Sequence, residues 1–244
     1  TTSGVCLPNL DWLQQEREGL VLCDATSAAY AMPIDFDKLD VVTWSWQKVL
    51  GSEGAHGMLA LSPRAVARLE ASASIFPLPK IFQLTKNGKL IEGIFEGATI
   101  NTPSMLALED LHCALAWAEG LGGVEALWQR TRDNFACIDA WVTQSPWIEW
   151  LARDPATRSP TSMCLRISDA AFNRLSVEEQ QQAIKRMLVM LEKENVALDI
   201  GNYRSAPPGF RIWGGATVET SDLQALTPWL DWVFATSKQE FDHV

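Results

Sequence analysis

The first 70 residues alternate short apolar runs with glycine, proline, aspartate and serine. Residues 20–23, 41–44 and 58–61 are short, mainly apolar runs, which is typical of short strands. Ser62 and Pro63 follow the third run, and this pair is typical of a helix start, with serine as N-cap and proline in the first turn. This pattern predicts three strands and then a helix over 64–70.

The later part of the chain follows a helical period. Leu108, Leu111 and Leu115 are spaced for one helix face, and Ser176 with Glu179 forms a predicted capping box. Ser221 and Gln224 form a second one. The predicted helices span 104–119, 124–143, 176–194 and 221–234, with strands over 163–167 and 210–214. Residues 72–100 are predicted to be irregular, with a turn at the KNGK sequence.

In the first part of the chain the predicted strands and helices alternate, and a smaller unit that contains both follows. This order predicts an α/β layer over residues 1–125 and a small carboxy-terminal α+β domain over residues 126–244. The fold class expected from the pattern is therefore α/β with a second, smaller domain.

Composition and charge narrow the possible partners. The chain has 244 residues and a formal net charge of −10, whereas nucleic-acid binding requires clustered lysine and arginine. No apolar run approaches the roughly 18 residues of a membrane span, and no secretory signal is recognisable. The five cysteines are odd in number and scattered, which favours reduced, buried thiols in a cytoplasmic protein without a metal site.

A lysine and an aspartate each follow an apolar run closely. Asp24 comes directly after residues 20–23, and Lys48 comes shortly after residues 41–44. If these strands are parallel, both residues emerge at the same carboxyl edge, where open α/β sheets bind ligands. An amine and a carboxylate that face one pocket suit pyridoxal phosphate, because the amine forms a Schiff base and the carboxylate keeps the pyridine nitrogen protonated.

Three longer runs resemble the phosphoserine aminotransferases, class V members of the fold-type-I pyridoxal-phosphate enzymes. They are DVVTWSWQKVLGSEGAHGMLALSPRAVARLE, EGIFEGATINTPSML and APPGFRIWGGATVETSDL. The resemblance covers the whole chain but only the later two-thirds of the family, since TTSGV resembles an interior loop. It implies an aspartate-aminotransferase-like fold that lacks the family's amino-terminal third. We therefore expect the isolated chain to bind the cofactor weakly and to turn over poorly.

The resemblance assigns cofactor roles to four residues. Lys48 matches the Schiff-base lysine, which also moves the proton at the substrate Cα, and Asp24 matches the partner of the pyridine nitrogen. Gln47 matches a phosphate-binding glutamine, and Thr1 matches a threonine that contacts the ring hydroxyl. The alternative for Asp24 is a helix or turn cap, and without the resemblance a loop hydrogen bond is the favoured explanation of Gln47.

Two further residues imply a homodimer with shared active sites. Asn101 and Thr102 resemble the pair that reaches the partner subunit's cofactor phosphate, just before a helix expected to start at Pro103. The alternative is that the pair only caps this helix.

Arginines are implied in substrate binding. Arg211 resembles the residue that grips the substrate α-carboxylate with a two-pronged contact, and Arg204 lies nearest to an arginine that contacts the substrate phosphate. Tyr203 replaces a histidine found beside that arginine in relatives. His56, in the glycine-rich loop after the lysine, is interpreted as a packed loop residue.

The resemblance implies transfer of an amino group between glutamate and 3-phosphohydroxypyruvate, giving O-phosphoserine for serine biosynthesis. Three alternatives stay open at this stage. One is another class V enzyme, such as a serine–glyoxylate or alanine–glyoxylate aminotransferase. The second is a cysteine desulfurase, which no cysteine in an evident mobile loop supports. The third is an inactive fragment that acts only as an assembly module.

Overall fold

A computed structural model describes residues 1–72, 76–203 and 205–241. The chain divides into two compact units. The amino-side unit contains residues 9–29 and 34–117, and the carboxy-side unit contains residues 1–8, 30–33 and 118–244. The sequence-based domain boundary at residue 125 stays a prediction.

A three-stranded sheet forms the amino-side unit, with strands in the order β1-β2-β3. The strands are β1 (Leu22–Asp24), β2 (Val41–Ser45) and β3 (Gly57–Leu61). β1 and β2 run parallel, and β3 is antiparallel to β2. Helix α1 (Pro63–Ala71) follows, and the Ser62 hydroxyl accepts the N–H of Ala65. The three predicted strands and the predicted N-cap are therefore confirmed.

A two-residue turn lies in the region that was expected to be irregular. β4 (Thr85–Lys86) pairs with β5 (Lys89–Leu90) in an antiparallel hairpin. Asn87 and Gly88 between them have φ of 53° and 74°, the left-handed backbone that tight hairpins need and that an Asn-Gly pair accepts readily. The turn predicted from the KNGK sequence is confirmed.

The carboxy-side unit packs three helices on an antiparallel sheet of order β6-β7-β8. Its core contains side chains from all six elements, including Ile138, Leu165, Met187, Phe210 and Leu230. The strands are β6 (Ile148–Trp150), β7 (Ser162–Ile167) and β8 (Gly209–Trp213). The helices are α3 (Val124–Gln144), α4 (Val177–Lys193) and α5 (Thr220–Phe241), and α2 (Met105–Leu121) precedes them in the chain.

The capping box of Ser176 and Glu179 at the start of α4 is confirmed. The one predicted for Ser221 and Gln224 is wrong, because α5 already begins at Thr220 and Ser221 lies in its first turn. The helix also continues past residue 234 as far as Phe241.

The extension of α5 has a tertiary cause. The Lys238 Nζ lies 2.8 Å from the Asp169 Oδ2, and Ser237 is buried. These contacts hold a last stretch of helix whose sequence is polar, and sequence periodicity does not report such contacts.

The five cysteines differ in exposure. Cys164 is buried, Cys113 on α2 is exposed, and Cys6, Cys23 and Cys137 are half-buried. All five are free thiols. The expectation of buried thiols is therefore wrong for Cys113.

Candidate functional site

The residues proposed to bind opposite ends of one ring come from neighbouring parallel strands. Asp24 is the last residue of β1 and pairs in register with Thr43 of β2. Lys48 lies three residues beyond Ser45, the end of β2. The predicted parallel pairing is confirmed: Asp24 lies at the carboxyl end of its strand, and Lys48 follows the carboxyl end of the neighbouring one.

Asp24 forms a local turn and stays ionised. Its Oδ1 accepts the backbone N–H of Thr26 at 3.0 Å and the Thr26 hydroxyl at 2.6 Å. These hydrogen bonds lower the pKa of the Asp24 carboxyl, the side-chain bond most. The turn-capping alternative is therefore realised, yet it uses only one of the two oxygens. A carboxylate kept anionic in this way suits a partner for a protonated ring nitrogen.

The loop that carries Lys48 turns tightly on itself. The Lys48 carbonyl accepts the N–H of Gly51 at 3.1 Å, and the Trp46 carbonyl accepts the N–H of Ser52 at 3.2 Å. Gly51 has φ of 64°, a conformation that glycine adopts at little cost. Trp46 and Val49, on either side of the half-buried lysine, are themselves buried. The lysine backbone is thus fixed from both sides.

A side-chain contact ties this loop to a distant helix. The Ser52 hydroxyl donates to the Asp110 Oδ2 on α2 at 2.6 Å, and Ser52 is buried. Sequence reasoning missed Ser52, Asp110 and the role of Thr26. An Asp-x-Thr turn after β1 was a usable signal for Thr26, whereas the 58-residue separation between Ser52 and Asp110 offers no local one.

Gln47 and His56 lie in the same loop. A methyl group at Gly54 would come within 3.3 Å of the Gln47 side-chain carbonyl carbon, so the glycine lets the loop close over this amide. The His56 ring packs against Trp46, with centroids 5.0 Å apart. The structure therefore gives the histidine the packed environment that was expected, while the phosphate-binding role of Gln47 stays a prediction.

Asn101 and Thr102 are exposed and precede α2. The helix begins at Met105, not Pro103, and the Ser104 hydroxyl accepts the N–H of Ala107 at 3.3 Å. Ser104 therefore caps the helix, and the capping alternative for Asn101 and Thr102 is wrong. Neither of their side chains has a hydrogen-bond partner within the described ranges.

The start of the chain packs beside the predicted substrate arginine, within the carboxy-side unit. The Gly4 N–H donates to the Thr1 carbonyl at 2.8 Å. A Cβ on Gly4, which has φ of 80°, would lie 2.6 Å from the Cβ of Cys164. Cys164 is the register partner of Arg211. The structure thus brings the segment that carries Thr1 against the strand next to Arg211.

Arg211 is partly buried and has two neighbours. Its Nη2 lies 3.9 Å from the Asp199 Oδ2, and its guanidinium carbon lies 5.8 Å from the centre of the Tyr203 ring. Arg204, the predicted phosphate-contacting residue, lies outside the described residues. Its role and that of Arg211 stay predictions.

A cavity of about 580 Å³ lies at the other end of the same sheet. Its lining includes Asp40, just before β2, and Ser62, just after β3. It is therefore separate from the edge that carries Asp24 and Lys48. Within the described ranges no cluster of histidine, cysteine, aspartate or glutamate is suited to a metal ion, and no described helix has the length and apolar character of a membrane span.

Comparison with known proteins identifies the family of the chain. The chain matches the aminotransferase class-V family over residues 1–207, and it belongs to that family. A phosphoserine aminotransferase from Methanosarcina barkeri is 56% identical over 234 residues, which is 96% of this chain and 60% of the relative. The chain therefore spans about 60% of the length of this curated relative. The family resemblance inferred from the sequence is confirmed.

Solved structures show the fold. A phosphoserine aminotransferase from Cytophaga hutchinsonii superposes with a TM-score of 0.73 at 20% identity, over 95% of this chain and 61% of that one. A PLP-bound phosphoserine aminotransferase from Trichomonas vaginalis gives a TM-score of 0.71 at 14% identity, over 95% of this chain and 58% of that one. The predicted fold-type-I α/β architecture is confirmed.

Proposed function

We propose that the protein is a phosphoserine aminotransferase, which transfers an amino group from L-glutamate to 3-phosphohydroxypyruvate and uses pyridoxal phosphate. The observation that carries the proposal is the parallel pairing of β1 with β2, which puts Asp24 and Lys48 at the same strand edge. The 56% identity to a curated phosphoserine aminotransferase supports the substrate.

The side chains fit the cofactor. Pyridoxal phosphate, when bound, supplies a carbonyl for amines and a ring that accepts electrons. The Asp24 carboxylate, kept anionic by Thr26, would hold a proton on the ring nitrogen. The Lys48 amine would attach the cofactor and then carry the proton to and from the substrate Cα. The tight loop around Lys48 limits the movement of its backbone and would keep the amine near the cofactor.

The remaining predicted residues would hold anionic groups. Gln47, and Asn101 with Thr102 from the partner subunit, would bind the cofactor phosphate, and Thr1 would contact the ring hydroxyl. Arg211 would bind the substrate α-carboxylate, since a guanidinium matches a carboxylate with two parallel hydrogen bonds. Arg204 would contact the substrate phosphate.

Exposed apolar side chains support a homodimer. Along the stretch that includes Asn101 and Thr102, large hydrophobic side chains face solvent: Phe76, Leu78, Ile81, Phe82, Ile94, Phe95, Ile100, Met105 and Leu106. Exposed apolar surface of this extent is typical of an interface. If a second copy of the chain packed on this stretch, its Asn101 and Thr102 would approach the cofactor of the first copy. We also infer a cytoplasmic protein, since all five thiols are free.

Reduction of the protein with borohydride tests the lysine. We expect the cofactor to be trapped on the peptide that contains Lys48, and we expect Lys48→Ala to abolish both the trapping and the transamination. Lys185→Ala, at an exposed position on α4, is the matched control and leaves both unchanged. Trapping at another lysine would contradict the assignment.

The keto-acid substrate is tested separately. The aminated enzyme is mixed with 3-phosphohydroxypyruvate, glyoxylate or pyruvate, and the return of the cofactor's original absorption is followed. We expect the fastest return with 3-phosphohydroxypyruvate. If the absorption returned with glyoxylate alone, the protein would be a glyoxylate aminotransferase and this proposal would be wrong. If it returned with none of the three keto acids, a role in assembly would be favoured.

A further inference from the structure

The two residues that contact the Arg211 side chain, Asp199 and Tyr203, come from one neighbouring segment. The Arg211 N–H donates to the Ile200 carbonyl at 2.8 Å, and Gly201 pairs with Phe210 in an antiparallel bridge. This short pairing extends the sheet beside β8. It also brings Asp199 and Tyr203, on either side of the pairing, to the Arg211 side chain.

The Asp199 contact is weak. The carboxylate oxygen lies 3.9 Å from the guanidinium nitrogen, and the aspartate side chain is 93% exposed. Exposed ion pairs of this kind contribute little, because water and salt screen them. Asp199 is thus a counter-ion that a substrate carboxylate can readily replace.

The Tyr203 contact has different geometry and chemistry. The guanidinium carbon lies 5.8 Å from the ring centroid, within the range of about 6 Å at which a cation is attracted to an aromatic face. This contact needs no carboxylate, so it persists when one binds to Arg211. The ring also restricts the movement of the guanidinium on the side it covers.

We propose that Tyr203 is a positioning residue, whose ring holds the Arg211 guanidinium in place while a substrate carboxylate replaces Asp199. This inference rests on the proposed function. The competing explanation is that the tyrosine hydroxyl contacts the substrate phosphate, in place of the histidine that the family resemblance implies at this position.

The two explanations differ in which substrate responds. Every amino-acid and keto-acid substrate of the reaction has the α-carboxylate, whereas only one substrate pair has the phosphate. Removal of the ring should therefore weaken the binding of glutamate and 3-phosphohydroxypyruvate alike. Loss of a phosphate contact would weaken only the second.

The test compares the Tyr203→Leu and Tyr203→Phe variants of the full-length protein with the wild type. For Tyr203→Leu we expect KM to rise about two- to fivefold for both substrates, the range for an exposed cation–aromatic contact, with kcat unchanged. Tyr203→Phe keeps the ring and should match the wild type. A KM rise in Tyr203→Phe for the phosphorylated substrate alone would overturn the proposal in favour of the hydroxyl.

Two further variants separate positioning from general loop damage. In an Arg211→Gln background no cation remains for the ring to hold, so Tyr203→Leu should have no further effect on inhibition by glutarate, which has the two carboxylates of glutamate but no amine. Asp199→Asn should lower the KM of both substrates, because it removes the competing carboxylate. An equal loss from Tyr203→Leu in both backgrounds would refute positioning, whereas an inactive wild type would refute only the proposed function.

Discussion

Asn134 on α3 fixes the loop that follows the strand of Arg211. Its Nδ2 lies 3.2 Å from the Gly214 carbonyl, 3.3 Å from that of Gly215 and 2.9 Å from that of Val218. Its Oδ1 accepts the Thr220 hydroxyl at 2.7 Å. Asn134, Gly214 and Gly215 are all buried, so water cannot replace the contacts between them. We expect Asn134→Leu, which keeps the branched shape and the number of heavy atoms, to destabilise this unit strongly.

The magnitude follows from the number of polar atoms left without a partner. An amide NH₂ has two hydrogens, so it can satisfy about two of the three carbonyls well, and the hydroxyl of Thr220 adds a third lost bond. Each unsatisfied buried group costs roughly 1–3 kcal/mol. The expected loss in the free energy of unfolding is therefore about 3 kcal/mol or more.

Urea unfolding followed by tryptophan fluorescence measures this loss. The matched control is Asn173→Ala, since Asn173 is exposed and its side chain donates one hydrogen bond, to the Ile167 carbonyl at 3.3 Å. It should cost about 1 kcal/mol or less. A loss for Asn134→Leu no larger than that of the control would show that the buried amide does not hold the loop, and the reasoning would fail.

Two further predictions concern carboxylates. Burial alone would raise the pKa of the Asp40 carboxyl, but hydrogen bonds from the Val21 N–H, Arg17 and Ser62 outweigh it and hold the pKa below its usual range. The unfolded chain therefore binds more protons between the two pKa values, so this contribution to stability is complete above about pH 4 and is lost as the pH falls further. Unfolding measured from pH 6 to pH 3 should show this loss in the wild type and much less of it in Asp40→Asn, and equal acid sensitivity would contradict it. Thr26→Val removes one of the hydrogen bonds that lower the pKa of Asp24, so the acid limb of the kcat profile should move to higher pH. An unchanged acid limb would show that Thr26 does not keep Asp24 ionised.

Most features that depend on neighbouring residues could be predicted from the sequence, whereas contacts between distant residues could not. Ser62 with Pro63, the Ser176 capping box and the KNGK turn each depend on neighbours within four residues, and the structure has all three. The start of α2 was predicted two residues early, because Ser104 rather than Asn101 or Thr102 accepts the first helical N–H. Proline at the first helical position is common, and that preference alone favoured Pro103.

The features that the sequence could not predict depend on contacts between residues far apart in the chain. The contact of Gly4 with Cys164 joins residues far apart in the chain, and so does the hydrogen bond of Ser52 with Asp110. No periodicity encodes such pairs. The positions of Asp24 and Lys48 were predictable for the opposite reason, since each lies at or shortly after the end of a strand and the two strands pair in parallel.

The cysteine thiols of this chain differ enough in exposure for one of them to be labelled selectively. Burial raises the pKa of four cysteine thiols: Cys6, Cys23, Cys137 and Cys164. A thiol that stays neutral reacts slowly with maleimides and oxidants. Cys113 alone is exposed. A fluorophore or spin probe added in slight excess would therefore attach at one known point of this chain, on α2, without engineering, and would report on the surroundings of that helix.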